Sequence, residues 1–477
     1  MKSINVDVAV IGAGSAGMTA FRAAQSHGKH VVLIEGGPYG TTCARVGCMP
    51  SKLLIAAAEA AHAVAEAPGF GIHPGTLRID GKAVMARVQA ERDRFVGFVV
   101  DNVHRIPDEH RLHGIARFVA AGRLQVDDHT LVNAASIVIA TGSTPNVPPE
   151  LRRLGSRLVT SDQVFDWNDL PASVAVVGSG VIGLELGQAL HRLGVRVTVF
   201  GRGSGIAHMS DPAVVRESVE CLKEELDLRV LTRVVSARTD GDTVSLTSLG
   251  ADGVERVERF DFVLAATGRT PNLHQLNLEH SGLQLDTRGM PLFDPLTMRC
   301  GDSAVFIAGD VNNERPVLHE ATDQGRIAGD NAGRYPEVLP GLRRTPLGIG
   351  FTDPQIAVAG SAFNTLKPGS FAIGEVQFAS QGRSRVMRQN RGVLRVYGEY
   401  GTDRFLGAEM VGPRAEHIAH LLAWAAQNRM TVAAMLDMPF YHPVIEEGVR
   451  TALRDLQEKL LHGLPEIERC ADCTPGI

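Results

Sequence analysis

The feature that most restricts how this chain can fold is a doubled local pattern, in which a short apolar strand runs into a glycine-rich turn and then a helix. The first copy is residues 6–11, then Gly12-Ala13-Gly14-Ser15-Ala16-Gly17, then a helical segment over 18–26. The second is residues 174–177, then Gly178-Ser179-Gly180-Val181-Ile182-Gly183, then a helix through residue 193. Glycines at these spacings allow a tight turn, close backbone approach to a pyrophosphate and close helix packing, while the helix N-terminus favours the anion. A second strand follows each helix. The first, 30–34, ends at Glu35, 23 positions after Gly12, where a carboxylate can accept the hydroxyls of an adenosine ribose. The same count from Gly178 lands on Gly201. The ribose carboxylate is absent from the second copy, and Arg202 stands beside the gap. An arginine there pairs with a 2′-phosphate and favours NADP over NAD; the alternative is a solvated loop charge.

Length allows more than these two units. A chain of 477 residues with 44% apolar content predicts about three domains. A formal net charge of −5 supplies no basic field for nucleic acid or an anionic membrane surface. No uncharged apolar run reaches the roughly 18 residues that span a bilayer. Six cysteines, at 43, 48, 221, 300, 470 and 473, are too sparse for a disulfide scaffold. Together these features predict a cytoplasmic protein that uses sulfur locally.

That local use centres on Thr42-Cys43-Ala44-Arg45-Val46-Gly47-Cys48-Met49-Pro50-Ser51-Lys52. Pro50 suits a first helical turn, and residues 52–67 are strong helix formers without internal Gly or Pro. Cys48 therefore falls near a helix N-terminus, where open N–H groups and the dipole favour a thiolate, and Lys52 adds positive charge one turn on. Cys43 lies outside that helix, where it can face a substrate. The pair reads as a redox disulfide; two ordinary buried thiols are the alternative that the residues alone leave open.

Further along, residues 76–113 look helical without a motif. An apolar strand over 136–140 ends in Thr141-Gly142-Ser143-Thr144-Pro145, and the prolines that follow predict a domain boundary near 150. Residues 201–264 read as β-rich and close with Ala265-Ala266-Thr267-Gly268-Arg269-Thr270-Pro271-Asn272, an echo of 140–146 that suggests paired crossings between nucleotide units. A strand over 304–308 ends in Gly309-Asp310, which places a carboxylate at a sheet end, and a helix over 318–332 follows. Short β-like runs from 355 to 411, then helices, predict an α+β third domain. Arg383, Arg385, Arg388 and Arg391 read as a solvated face rather than a site for an acidic substrate.

Taken in order, these motifs resemble the flavoprotein disulfide reductases, the group that includes dihydrolipoamide dehydrogenase, glutathione reductase and mercuric reductase; the first of these is the nearest label. The resemblance rests on both glycine fingerprints, the cysteine stretch, Ala266-Thr267-Gly268-Arg269, Ala308-Gly309-Asp310, and His442-Pro443 with Glu447. One departure is Gly40-Thr41-Thr42-Cys43, where that group has two glycines before Thr-Cys. The implied fold is α/β: an FAD-binding domain (1–149, returning over 274–345), an NAD(P)-binding domain (150–273) and a C-terminal α+β dimerisation domain (346–477). The implied cofactors are FAD and NADP or NAD. Cys43 is implied as the interchange thiol and Cys48 as the thiolate against the flavin. His442 with Glu447 is implied as the acid/base pair donated across a homodimer interface. Gly12, Gly14, Ser15, Gly17, Glu35, Thr42, Thr141, Gly142, Gly178, Gly180, Gly183, Gly268 and Asp310 are implied as cofactor-binding, Asp310 at the ribityl chain, and Arg202 joins them by the reading above; Lys52, paired with Glu185, is implied near the flavin and nicotinamide. No resident metal is implied.

Several alternatives stay open. The implied substrate is a small-molecule or protein dithiol or disulfide, and the direction is not encoded. Mercuric reductases are expected to lack His442, which favours a disulfide. Cys470-Ala471-Asp472-Cys473 could relay electrons to another disulfide or a metal ion, or be an incidental tail; a metal site including His462 lacks an evident fourth ligand. A flavin transhydrogenase needs neither Cys43 nor Cys48. Cys221 and Cys300 read as structural.

Overall fold

The computed structural model describes residues 1–207 and 209–462. It divides into two compact units, Met1–Ala172 with Arg192–Val195 and Asp261–Arg343, and Ser173–His191 with Arg196–Phe260 and Arg344–Ile477. The chain thus leaves the first unit and returns to it within the span assigned to nucleotide binding.

In the first unit, strand β1 (Lys2–Ile11) is followed by helix α1 (Ser15–Gln25) and strand β2 (Val31–Glu35). β1 pairs in parallel with β2 and with the strand Thr130–Ile139, and the end of that strand pairs in parallel with Val305–Ile307. The centre of the sheet is apolar in an unbroken run because both faces are covered. Val8 and Val10 join the cluster that contains α1, while Ala9 and Ile11 join the cluster on the other side with Phe118 and Leu124. The helix Leu318–Arg334 lies against α1. Its glycines make this possible. A β-carbon at Gly325 would sit 2.3 Å from the Ala16 carbonyl oxygen, and one at Gly329 would sit 2.2 Å from that of Ala20.

Two further helices, α2 (Thr42–Val46) and α3 (Cys48–Glu66), carry the cysteine stretch, and the helix Gly81–His104 packs beside them. Cys43 lies outside α3, as expected, but has a short helix of its own.

The second unit has a parallel ladder, Ser173–Val177 with Arg196–Phe200 with Asp227–Arg229, and a helix Val181–Arg192 after the second glycine turn. The stretch read as β-rich contains one helix, Pro212–Lys223, started by Pro212 in its first turn and by the Asp211 carboxylate, which accepts the Ala213 N–H at 2.9 Å. The same unit holds a five-stranded antiparallel sheet in the order Leu347–Gly350, Gln355–Gly360, Phe405–Gly412, Val393–Glu399, Phe371–Gln377. Helices Ala415–Gln427 and Glu447–His462 pack on it over a core that includes Leu394, Met410, Leu422 and Leu453. This is the expected α+β texture. The segment that holds Cys470 and Cys473 lies outside the described residues.

Candidate active site

The first glycine turn separates into internal and external roles. Gly12 has φ +105°, and a β-carbon on it would lie 2.3 Å from the Ala140 carbonyl oxygen; one on Gly17 would lie 1.8 Å from the Gly12 carbonyl oxygen. These two glycines serve the fold. Gly14 meets nothing within 4 Å. Open space over a glycine at a helix N-terminus is room for a ligand's phosphates, so the turn fits a dinucleotide. Ser15 begins α1. At the end of β2, Glu35 accepts the Ala13 N–H at 2.7 Å and the Gly37 N–H at 2.7 Å, which ties its carboxylate to the turn.

The second turn repeats the plan. Gly178 has φ +120°, Gly180 meets nothing within 4 Å, and Gly183 is buried in the helix Val181–Arg192. The position equivalent to Glu35 is closed: Gly201 is buried, and a β-carbon on it would lie 2.6 Å from Ser179 Oγ. Arg202 follows on an exposed loop.

Cys43 and Cys48 are both thiols, and their side chains are within hydrogen-bonding reach of each other. The hydrogen bond to Cys48 pushes the Cys43 thiol well above the usual thiol range, with burial and the Cys48 charge adding to the rise, while Lys52 opposes it. The bond between them favours keeping a proton on Cys43. Cys48 is the first residue of α3, and the preceding Gly47 has no side chain with which to cap the helix, so first-turn N–H groups remain for the sulfur. Thr42 is exposed beside the pair. Thr41 caps α2 by accepting the Ala44 N–H at 3.2 Å, from a backbone with φ +57° and ψ +150°.

The two echoing segments meet each other. Ser143–Pro145 pairs antiparallel with Arg269–Pro271. Thr141 Oγ1 donates to the Asn272 carbonyl oxygen at 2.7 Å, and Thr267 Oγ1 donates reciprocally to that of Asn146 at 2.7 Å. Gly142 and Gly268 take positive φ at the turns into this ribbon. Beside it, Asp310 Oδ2 accepts from Ser143 Oγ at 2.9 Å. Among the described residues Oδ1 accepts no hydrogen bond, an open acceptor that suits a ligand hydroxyl. Sequence reasoning does not single out Ser143 or Arg269 as site residues, although both lie in the echo that it identifies.

In the second unit, Glu185 is buried and accepts the Phe351 N–H at 2.9 Å. His442 Nδ1 lies 3.0 Å from Glu447 Oε2, and that carboxylate also accepts from the Val444 N–H and from Arg450 Nη2 at 2.9 Å. The His442 contact, with help from these two, lowers the Glu447 pKa below the usual carboxylate range. The imidazole is 80% exposed, so its Nε2 edge is available to a second body. Arg391, one of the four clustered arginines, is paired with Glu224 at 2.8 Å.

Known proteins share this layout. A family model described as pyridine nucleotide-disulphide oxidoreductase matches residues 6–325, and the dimerisation domain of the same family matches 347–453. A mercuric reductase of Shigella flexneri is 32% identical over 463 residues, 93% of this chain and 80% of that protein. Dihydrolipoyl dehydrogenase 3 of Pseudomonas aeruginosa is 30% identical over 472 residues, 95% of this chain and 98% of that protein. The crystal structure of LpdA from Mycobacterium tuberculosis superposes with a TM-score of 0.80 at 26% identity, covering 95% of this chain and 99% of that one. The flavoprotein disulfide reductase RclA from Escherichia coli shares the fold, with a TM-score of 0.79 at 21% identity over 95% of this chain and 99% of that one.

Proposed function

The chain belongs to the pyridine nucleotide-disulphide oxidoreductase family, and from that premise we propose that Cys43 and Cys48 are the redox pair through which it exchanges electrons with a dithiol or disulfide substrate. It is an FAD-dependent, pyridine nucleotide-linked enzyme, dihydrolipoamide dehydrogenase-like, and its dimerisation domain makes it a homodimer. Bound FAD supplies the two-electron exchange between the nicotinamide and the cysteine pair. Gly14, Ser15, Glu35, Thr42, Thr141, Gly142 and Asp310 would hold it, with Gly12 and Gly17 closing the turn beneath, over 1–149 and 274–345. Gly178, Gly180, Gly183, Glu185, Arg202 and Gly268 serve the nucleotide domain, 150–273, and Lys52 serves the cysteine pair. Residues 346–477 form the dimerisation domain.

The observation that carries the reading is a pair of thiols in hydrogen-bonding reach of each other, one of them the first residue of a helix. Open N–H groups at the start of α3 favour the thiolate form of Cys48, the sulfur that would face the flavin. Cys43 holds the proton and cannot attack a disulfide until it gives that proton up. A base is therefore needed, and His442, oriented by Glu447 and exposed for use by a second subunit, supplies it. The Cys43 thiolate then attacks one substrate sulfur, and the first substrate thiolate leaves and takes the proton from the imidazole. Cys48 attacks Cys43 in turn, closing the Cys43–Cys48 disulfide and releasing the second substrate thiolate.

The missing carboxylate supports NADP over NAD, because Gly201 is packed against Ser179 and the adjacent side chain is Arg202. A cytoplasmic location belongs to the same proposal, supported by sparse cysteines and a pair kept for exchange. A metal ion as substrate, delivered through Cys470 and Cys473, is the second reading; the cysteine pair in the sequence and the mercuric reductase relative favour it.

Substrate assays of Cys48→Ser test the proposal. Disulfide reduction and dihydrolipoamide oxidation are expected to fall by at least about 10³-fold while NAD(P)H still reduces the bound flavin. Retained disulfide turnover would refute the redox pair. Loss of Hg(II) reduction on removing Cys470 and Cys473, with disulfide turnover absent in the parent, would establish the second reading.

A further inference from the structure

The grip on Asp310 extends through three more side chains. Ser143 Oγ donates to Asp310 Oδ2 at 2.9 Å and accepts from Arg269 Nε at 2.9 Å. Arg269 also donates through Nη2 to the Ser143 carbonyl oxygen at 2.7 Å and through Nη1 to Asp162 Oδ1 at 2.9 Å. Ser143 is 8% exposed, and the Arg269 and Asp162 side chains are 17% and 25% exposed.

The donor inventory fixes the direction of this chain of contacts. A guanidinium only donates, and a carboxylate only accepts, so the hydroxyl between them has one place for its proton. It must point at Asp310. Charge-assisted bonds at both ends of a nearly buried hydroxyl hold Oδ2 firmly and leave Oδ1 as the open acceptor. Two further contacts fix the backbone beneath: Gln324 Oε1 accepts the Gly309 N–H at 2.8 Å and Asn312 Nδ2 at 2.8 Å. The carboxylate is therefore presented rather than merely present.

We propose that Ser143, set by Arg269 and Asp162, is a positioning residue that aims the Asp310 carboxylate at the ribityl hydroxyls of FAD. The paired echo segments are then the frame of the flavin site, because the same ribbon that joins 143–145 to 269–271 brings Arg269 to Ser143 across 126 residues of sequence. The inference rests on the reading of Asp310 as a flavin ligand and assigns the residues that make it effective.

The test is FAD titration of the deflavinated full-length protein, followed by quenching of flavin fluorescence, in the parent, Ser143→Ala, Ser143→Thr and Asp310→Ala. Ser143→Ala keeps the backbone ribbon and removes only the hydroxyl. Its Kd for FAD is expected to rise roughly tenfold, with Ser143→Thr, which keeps the hydroxyl, restored to within about twofold of the parent. Ser143→Ala binding FAD as tightly as the parent, while Asp310→Ala binds weakly, would overturn the inference and leave the Asp310 reading standing. Asp310→Ala binding as tightly as the parent would overturn both.

Discussion

Thr41 holds a backbone shape that costs a β-branched residue energy. At φ +57° and ψ +150° it lies in a region used almost only by glycine, at a cost of about 1–3 kcal/mol, yet its hydroxyl caps the helix that carries Cys43. Replacing an N-cap threonine with glycine costs only a few tenths of a kcal/mol, so strain outweighs the cap. Thr41→Gly is expected to raise unfolding stability by about 1 kcal/mol, and Thr41→Ala, which keeps the strain and loses the cap, to lower it by about 1 kcal/mol, both read from urea unfolding of the holoenzyme. The departure from the usual Gly-Gly at this turn is visible in the sequence, but its cost is not, because φ is set by how 36–41 leaves β2. The cysteines give a pH prediction. The bond to Cys48 raises Cys43, so Cys43 stays protonated to higher pH in the reduced parent than in Cys48→Ser. Alkylation of Cys43 as a function of pH is expected to turn on at lower pH in the variant; an unchanged profile would mean that Cys48 is not the partner that raises it.

At the scale of elements, close packing decides where the first glycine turn sits. α1 begins at the glycine turn, and the helix Leu318–Arg334 reaches it only because Gly325 and Gly329 lack side chains. Gly329→Ala puts a methyl against the Ala20 carbonyl oxygen, and is expected to cost about 1–3 kcal/mol and to speed flavin loss on dilution. Gly374→Ala gives the parallel case in the second unit: the added carbon would lie 2.1 Å from the carbonyl oxygen of Ala452, on the helix that begins with Glu447. Both glycine turns, both second strands, α3 and the C-terminal strands are legible from sequence because each is set by local periodicity and turn chemistry. The helix Pro212–Lys223 is hidden in a stretch that reads as strands, although Asp211 and Pro212 announce its start. The Ser143–Arg269 contact and the glycine face of Leu318–Arg334 depend on partners more than a hundred residues away, which no local pattern encodes.

For the whole molecule, the proposed role of His442 ties catalysis to dimerisation. His442 is exposed in the protomer, and the helix Ala415–Gln427 of the matched dimerisation domain leaves Trp424 65% exposed. Trp424→Asp is expected to yield monomers by light scattering and to lose at least about tenfold in disulfide turnover, with flavin retained. A monomer that keeps full turnover would show that His442 acts within its own chain. Nucleotide choice belongs to the same scale: Arg202→Ala is expected to raise KM for NADPH about tenfold and leave that for NADH within about twofold, because only NADPH carries the 2′-phosphate. The most direct test of the redox pair is anaerobic titration of the purified holoenzyme with NADPH, and in parallel NADH, while the flavin spectrum is recorded. A long-wavelength absorption band at two-electron reduction, reached with less NADPH than NADH, is the expected result. Flavin bleaching without that band would contradict the assignment of Cys43 and Cys48.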